Sequence, residues 1–168
     1  MSILTQNEIL KAIRKKRIKI EPFNEKDVGP ASIDLTLDNK FRVFKKGKLV
    51  KVNEQTDYKK ITKSVIKDSV RLKKGDMIIA ITREKITLPD NICGFLHGRS
   101  RFARLGVMVH VSSAFVQPGV SNKQVLEFVN LGHWDVELRA GTKICHLILE
   151  DTLGKAKYNG LFKDQRIH

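Results

Sequence analysis

A carboxylate in an apolar strand is the residue most suited to chemistry in this chain. Glu127 sits inside Gln124-Val125-Leu126-Glu127-Phe128-Val129, where an ionised side chain is costly unless it is paired or has a task. A carboxyl group held partly out of water has its pKa raised towards neutrality, which suits it to take and return protons as general base and general acid. Strand alternation leaves a plainer reading open, in which Glu127 faces solvent or a buried arginine.

A second stretch, Gly98-Arg99-Ser100-Arg101, places a glycine, a hydroxyl and two guanidinium groups in one tight segment. A turn of that composition can hold phosphate through backbone N–H groups, an O–H and charge-assisted forks. Read alone, it fits equally a turn with exposed arginines. His97, His110, His133, His146 and His168 are scattered, with no Glu two positions after any of them and no Pro-Cys-x-x-Cys. The zinc-deaminase signature is therefore missing, and no protein-held zinc is expected.

The elements that must position these groups read as β-strands after a helical start. Thr5-Gln6-Asn7-Glu8 is a capping-box pattern followed by Ile9, Leu10 and Ile13 on one face, predicting a helix that stops near Arg17. The period then turns to alternation, with Ile33, Leu35 and Leu37 facing one way and Asp34 and Thr36 the other. Short apolar runs recur at 41–43, 77–81, 107–111, 125–131, 136–138 and 144–149, with turn residues between many of them. That is the pattern of an all-β sandwich or barrel with a helical preface. Residues 59–67 read as a basic surface excursion.

Length and composition bound the rest. At 168 residues the chain suits one domain. No run approaches the roughly 18 apolar residues of a membrane span, and the start lacks a signal-peptide pattern, so a cytoplasmic protein is expected. Cys93 and Cys145 lie in apolar runs and read as buried free thiols. Lys and Arg number 32 against 18 Asp and Glu, a net charge of +14 that favours polyanions, either nucleic acid or nucleotide phosphates. The basic runs at 11–19 and 45–51 are interleaved with aliphatic residues rather than stacking aromatics, so solvated faces are the expected role and specific nucleic-acid binding is not expected.

Taken together the motifs resemble the dCTP deaminase family of the trimeric dUTPase superfamily. The resemblance runs from Leu4-Thr5-Gln6-Asn7-Glu8-Ile9 through Gly29-Pro30-Ala31-Ser32-Ile33-Asp34-Leu35 and Phe41-Arg42-Val43-Phe44 to Gly98-Arg99-Ser100-Arg101-Phe102-Ala103-Arg104-Leu105-Gly106, Val125-Leu126-Glu127-Phe128 and Gly141-Thr142-Lys143-Ile144. It implies a mainly β, distorted jelly-roll barrel of the dUTPase-like type over residues 1–168, with an N-terminal helix and lead-in at 1–20 and a C-terminal lid at 155–168. It also implies a homotrimer with sites between subunits, dCTP or dUTP as ligand, and Mg2+ arriving with the triphosphate.

By the same resemblance, Glu127 matches the carboxylate that activates water, Ser100 the hydroxyl that positions it and Arg104 the arginine beside them. The carbonyl of Ser113 matches the backbone oxygen that shares the water. Arg99 and Arg101 fall where phosphate contacts are expected, Val125 on the catalytic strand, and Lys157 and Tyr158 match a lid pair. Three departures stand out. Arg101 replaces a second serine, Phe115 stands where deaminases that make only dUTP carry an arginine, and Gln117 stands where dUTPases have an aspartate. The lid also has Leu161 where a glutamine is usual, with Gln165 nearby. The implied reaction is deamination of dCTP to dUTP. The alternatives are a dUTPase, a bifunctional enzyme releasing dUMP and pyrophosphate, and, more distantly, a silent nucleotide- or nucleic-acid-binding protein.

Overall fold

In a computed structural model of the chain, which describes residues 2–163, 165 and 167, eleven strands and three short α-helices are formed among the described residues. Helix α1 covers Gln6–Arg14. Strands β1 (Lys19–Glu21) and β2 (Ile33–Phe44) precede helix α2 (Tyr58–Ile61), and β3 (Thr62–Ile66), β4 (Ser69–Leu72), β5 (Met77–Thr87) and β6 (Ile92–Gly98) follow it. Helix α3 (Ser100–Ala103) leads into β7 (Val107–Val109), β8 (Phe115–Val116), β9 (Ser121–Asn130), β10 (Val136–Arg139) and β11 (Lys143–Asp151).

Nine strands make one curled sheet in the order β7-β9-β5-β2-β11-β6-β8, with β1 pairing β5 and β3 pairing β2, while β10 and β4 form a separate ribbon. The strand pairings among the described residues are all antiparallel, so alternate residues face one core. Ile33, Leu35, Leu37, Phe41, Leu126, Phe128, Leu147 and Leu149 are fully buried there. Covering such a face with aliphatic and aromatic side chains is the main drive for the sheet to curl on itself.

Several boundaries differ from the expectation, each for a local reason. Thr5 occupies the N-cap position, but its side chain makes no capping bond, and Glu8 pairs instead with Lys11 at 3.2 Å. Helix α1 ends at Arg14 rather than near Arg17, because Lys16 takes a left-handed φ of 57° that no α-helix continues through. The runs at 33–37 and 41–43 belong to one strand, β2, with a register shift between Leu37 and Phe41. Residues 59–67 are mostly exposed, and within them β3 lies along β2 from Thr62 opposite Phe44 to Ile66 opposite Lys40. Cys93 and Cys145 are buried free thiols, as expected. Burial, with Glu84 and Asp34 adding to it, pushes the Cys145 thiol up to about 12. No helix among the described residues is long and apolar enough to cross a membrane.

Candidate active site

Strand β9 carries Glu127, and burial alternates along it with Asn122, Gln124, Leu126, Phe128 and Asn130 facing inward. Glu127 therefore faces the opposite side, where its side chain is 33% exposed. Between Ser121 and Glu127 the strand is bonded on one side only, because β7 pairs with it just from Phe128 to Asn130. The ladder continues one step further, His110 N–H donating to the Glu127 carbonyl at 2.8 Å. His110 then turns away with a φ of 48°, a left-handed conformation that few non-glycine residues adopt.

That turn brings the His110 ring to the carboxylate, with Nδ1 2.7 Å from Glu127 Oε2. Burial pushes the Glu127 carboxyl up, but the hydrogen bond and charge of His110 outweigh it, and the net direction is downward from the ordinary 4.5. The expectation of a carboxyl raised towards neutrality is thus reversed, because a specific hydrogen-bonding partner and a backbone hydrogen bond together outweigh partial desolvation. Reading the histidines only as metal ligands passed over His110. Its two-residue separation from Met108 in an apolar run was the one available hint that it shares a strand end.

A cavity of about 180 Å³ opens along the one-sided stretch of β9. His110, Ser113, Phe115, Gln117, Val125 and Tyr158 are among the residues lining it, so six side chains meet there that are dispersed over 49 positions of sequence. Phe115 packs against Phe95, with ring centroids 5.3 Å apart. The C-terminal segment forms the outer wall. Tyr158 N–H donates to the Pro118 carbonyl at 3.1 Å, and Lys157 packs against Gly119, whose φ of 74° lets the two backbones approach. Further on, Asn122 Nδ2 donates to the carbonyls of Phe162 and Lys163, and Gln165 Nε2 to that of Lys123 at 3.0 Å. Ile167 is buried against Ile79 and Ile81, and its carbonyl accepts from Arg42 Nη1 at 2.8 Å.

The Gly98–Arg101 turn does not line the cavity. Ser100 opens helix α3 and Arg104 ends it, and neither lines the cavity nor bonds to Glu127. Arg99 is engaged inward, 3.4 Å from the Asp34 carboxylate and donating to the Lys143 carbonyl at 3.1 Å. His146 Nδ1 holds the other Asp34 oxygen at 2.8 Å. Arg101 and Arg104, by contrast, are exposed, and their side chains have no hydrogen-bonding or ionic partner among the described residues. No group of three His, Cys, Asp or Glu side chains able to hold a metal occurs among those residues.

The chain forms a curled β domain in which His110 joins a half-buried carboxylate to a small cavity, and known proteins share its fold. A point mutant of the dUTPase from phage phi11 of S. aureus superposes with a TM-score of 0.53 at 10% identity over 86% of this chain and 96% of its own. The 2′-deoxycytidine 5′-triphosphate deaminase of Agrobacterium tumefaciens superposes with a TM-score of 0.68 at 19% identity over 88% of this chain, which spans about half (47%) of that larger one. The dCTP deaminase-like family model matches residues 3–152, and the chain belongs to that family. It is 35% identical to a dCTP deaminase of Marinomonas sp. over 96% of this chain and 93% of the relative. It is also 36% identical to a dUMP-forming dCTP deaminase of Nanoarchaeum equitans over 88% and 83%, and 32% identical to one of Streptomyces coelicolor over 98% and 91%.

Proposed function

We propose that this chain hydrolyses dCTP to dUTP and ammonia. The observation that carries the reading is the Glu127 carboxylate, its pKa held low and its side chain oriented by His110, which lines the cavity. Glu127 takes a proton from a water positioned by the Ser100 hydroxyl and the Ser113 carbonyl. The resulting hydroxide adds to C4 of the cytosine ring, Glu127 returns protons, and the C4–N bond breaks to release ammonia. Positioning and a carboxylate that is already ionised supply the acceleration. The burial that raises a carboxyl and the histidine that lowers it are opposed, so withdrawal of His110 from Glu127 would strengthen the base when the substrate is seated.

Two features support a homotrimer with sites between subunits. The 180 Å³ cavity is smaller than the roughly 300 Å³ at which ligand pockets usually begin, and it lacks every cationic side chain of the Gly98–Arg104 segment. A second copy that brings Ser100, Arg101 and Arg104 to the rim of the first would complete it. Mg2+ would enter as part of the substrate, bound by the triphosphate, with Arg101 and Lys157 neutralising the remaining phosphate charge while Arg99, paired with Asp34, braces the turn. Tyr158 and Lys157 would then close the outer wall and exclude water.

A second reading, a bifunctional enzyme that continues to dUMP and pyrophosphate, is favoured by Phe115 and by the names of the Nanoarchaeum and Streptomyces relatives. Gln117 weighs against it, because an amide cannot take a proton from water attacking the α-phosphate. Incubation with dCTP and magnesium, recording ammonia, dUTP, dUMP and pyrophosphate together, separates the readings. Ammonia with dUTP is the expected result. Pyrophosphate and dUMP at the rate of ammonia would establish the bifunctional enzyme, and the absence of every product would leave a silent binding protein.

A further inference from the structure

We propose that His146 is a positioning residue, holding Asp34 so that Asp34 in turn holds Arg99 and fixes the turn that carries Ser100. The inference rests on the deaminase reading above, which gives Ser100 its task, and it names a residue that does not line the cavity.

Helix α3 needs such an anchor. None of the residues of Ser100–Ala103 is buried, and Phe102 packs only partly against the core. A single helical turn of that kind is not stable by itself, so its place depends on what holds its ends. Arg99 occupies the N-cap position, where its carbonyl accepts from the N–H groups of Phe102 at 2.9 Å and Ala103 at 3.2 Å. Its side chain reaches back to the sheet, where Nη1 donates to the Lys143 carbonyl at 3.1 Å and lies 3.4 Å from Asp34 Oδ2. The backbone that starts α3 and the guanidinium that grips the sheet therefore belong to one residue.

At 3.4 Å the Arg99–Asp34 contact is long for a charge-assisted hydrogen bond, and a carboxylate held at one oxygen alone can rotate away from it. His146 removes that freedom. It stands directly opposite Asp34 in the antiparallel pairing of β11 with β2, and its Nδ1 lies 2.8 Å from Asp34 Oδ1. A carboxylate paired with a guanidinium accepts only, so the imidazole must carry a proton on Nδ1 and donate it. With Oδ1 fixed by His146, Oδ2 is turned towards Arg99, and the two contacts set the plane of the group. Lys143 offers no substitute, because its ammonium is taken by Asp27. Strand register thus reaches the turn link by link, from His146 to Asp34 to Arg99 at the head of α3. Loss of the first link should leave the fold intact and let Ser100 drift, a displacement that lowers rate rather than stability.

The test is a double-mutant cycle on ammonia release from dCTP with magnesium, at a temperature well below unfolding. His146→Leu, which removes the donor, should lower kcat/KM about tenfold, most of it in kcat because Ser100 acts on the attacking water. His146→Asn, whose amide nitrogen can take the place of Nδ1, should stay within about threefold of the wild type. In an Arg99→Met background the further loss from His146→Leu should shrink to about twofold or less, since the link it serves is already gone. His97→Leu, opposite His146 on β6 but without a bond to Asp34 among the described residues, should change kcat/KM by less than about twofold. If His146→Leu does not fold, the wild type still decides, because nitrogen NMR reads which ring nitrogen of His146 carries the proton. The proposal is overturned by full activity in His146→Leu, by an equal loss in the Arg99→Met background or in His97→Leu, by His146→Asn no better than His146→Leu, or by a neutral His146 ring protonated on Nε2. A wild type that releases no ammonia fails the deaminase reading instead, and the cycle is then read as the Kd of dUTP, to which Arg101 on the same turn contributes, with a loss of about tenfold again expected. A wild type that binds no triphosphate overturns both.

Discussion

His110 Nδ1 lies 2.7 Å from Glu127 Oε2, and the same two residues are joined again through the main chain, His110 N–H to the Glu127 carbonyl at 2.8 Å. The backbone bond fixes where His110 leaves the sheet, and the side-chain bond fixes which protonation state of Glu127 is favoured. A carboxylate joined to the cavity by His110 thereby stays ionised although burial opposes it.

Glu127→Gln should retain dCTP binding and lose turnover by at least about a hundredfold, the scale for loss of a general base. Steady-state ammonia release and calorimetric binding on the same preparation check this, and turnover near that of the wild type would remove Glu127 from the chemistry.

His110→Asn tests the partner, asparagine being chosen because it tolerates the left-handed φ of 48°. The folded-state pKa of Glu127 lies below its ordinary 4.5, so the fold favours the ionised form. That contribution is complete above 4.5 and is lost as pH falls through the lower folded value. Removing His110 leaves burial opposed only by a backbone hydrogen bond and should move the acid limb of kcat/KM to higher pH. The pH–rate profile reads this directly, and an unmoved limb would mean that His110 does not set the charge of Glu127.

Ser100 and Arg104 neither line the cavity nor bond to Glu127, so the proposed site between subunits predicts complementation. Glu127→Gln and Arg104→Ala should each be nearly inactive, and refolding an equimolar mixture should restore roughly a quarter of the wild-type sites, as random assembly of shared sites requires. Light scattering should give about three times 19.1 kDa. An active monomer, or a mixture no better than its components, would place the whole site in one chain.

Gln117→Asp should raise pyrophosphate release from dUTP more than it changes deamination of dCTP, since it restores a proton acceptor and adds little to the shape of the cavity. Parallel assays of pyrophosphate and ammonia decide it. Equal effects on both products would assign Gln117 to binding alone.

Gly106→Ala should cost about 1–3 kcal/mol of stability, because the glycine has a φ of 80° and a Cβ there would meet the Gly132 backbone at 2.5 Å. Thermal unfolding measures the loss. Gly106 joins α3 to β7, so the Ser100 turn should be displaced as well, and kcat should fall with stability.

Much of this protein could be read from local pattern. Alternation at Ile33, Leu35 and Leu37 identified a strand, the apolar neighbours of Glu127 singled out a carboxylate worth attention, and the Gly98–Arg104 motif pointed to the family, because side-chain period and residue type are properties of a single segment. What stands across the sheet from each segment is not such a property. Residues 59–67 read as a basic surface excursion, and only pairing with β2 shows the strand at 62–66; Arg99 read as a turn arginine, and only the fold brings it to Asp34, 65 positions earlier. The sign of the Glu127 shift was decided in the same way. Its sequence neighbours establish partial burial, which raises a carboxyl, but the effects that together outweigh it come chiefly from His110, 17 residues away and carried to it by the β7–β9 pairing. Only tertiary structure sets the distance between charges, and electrostatic energy depends on that distance.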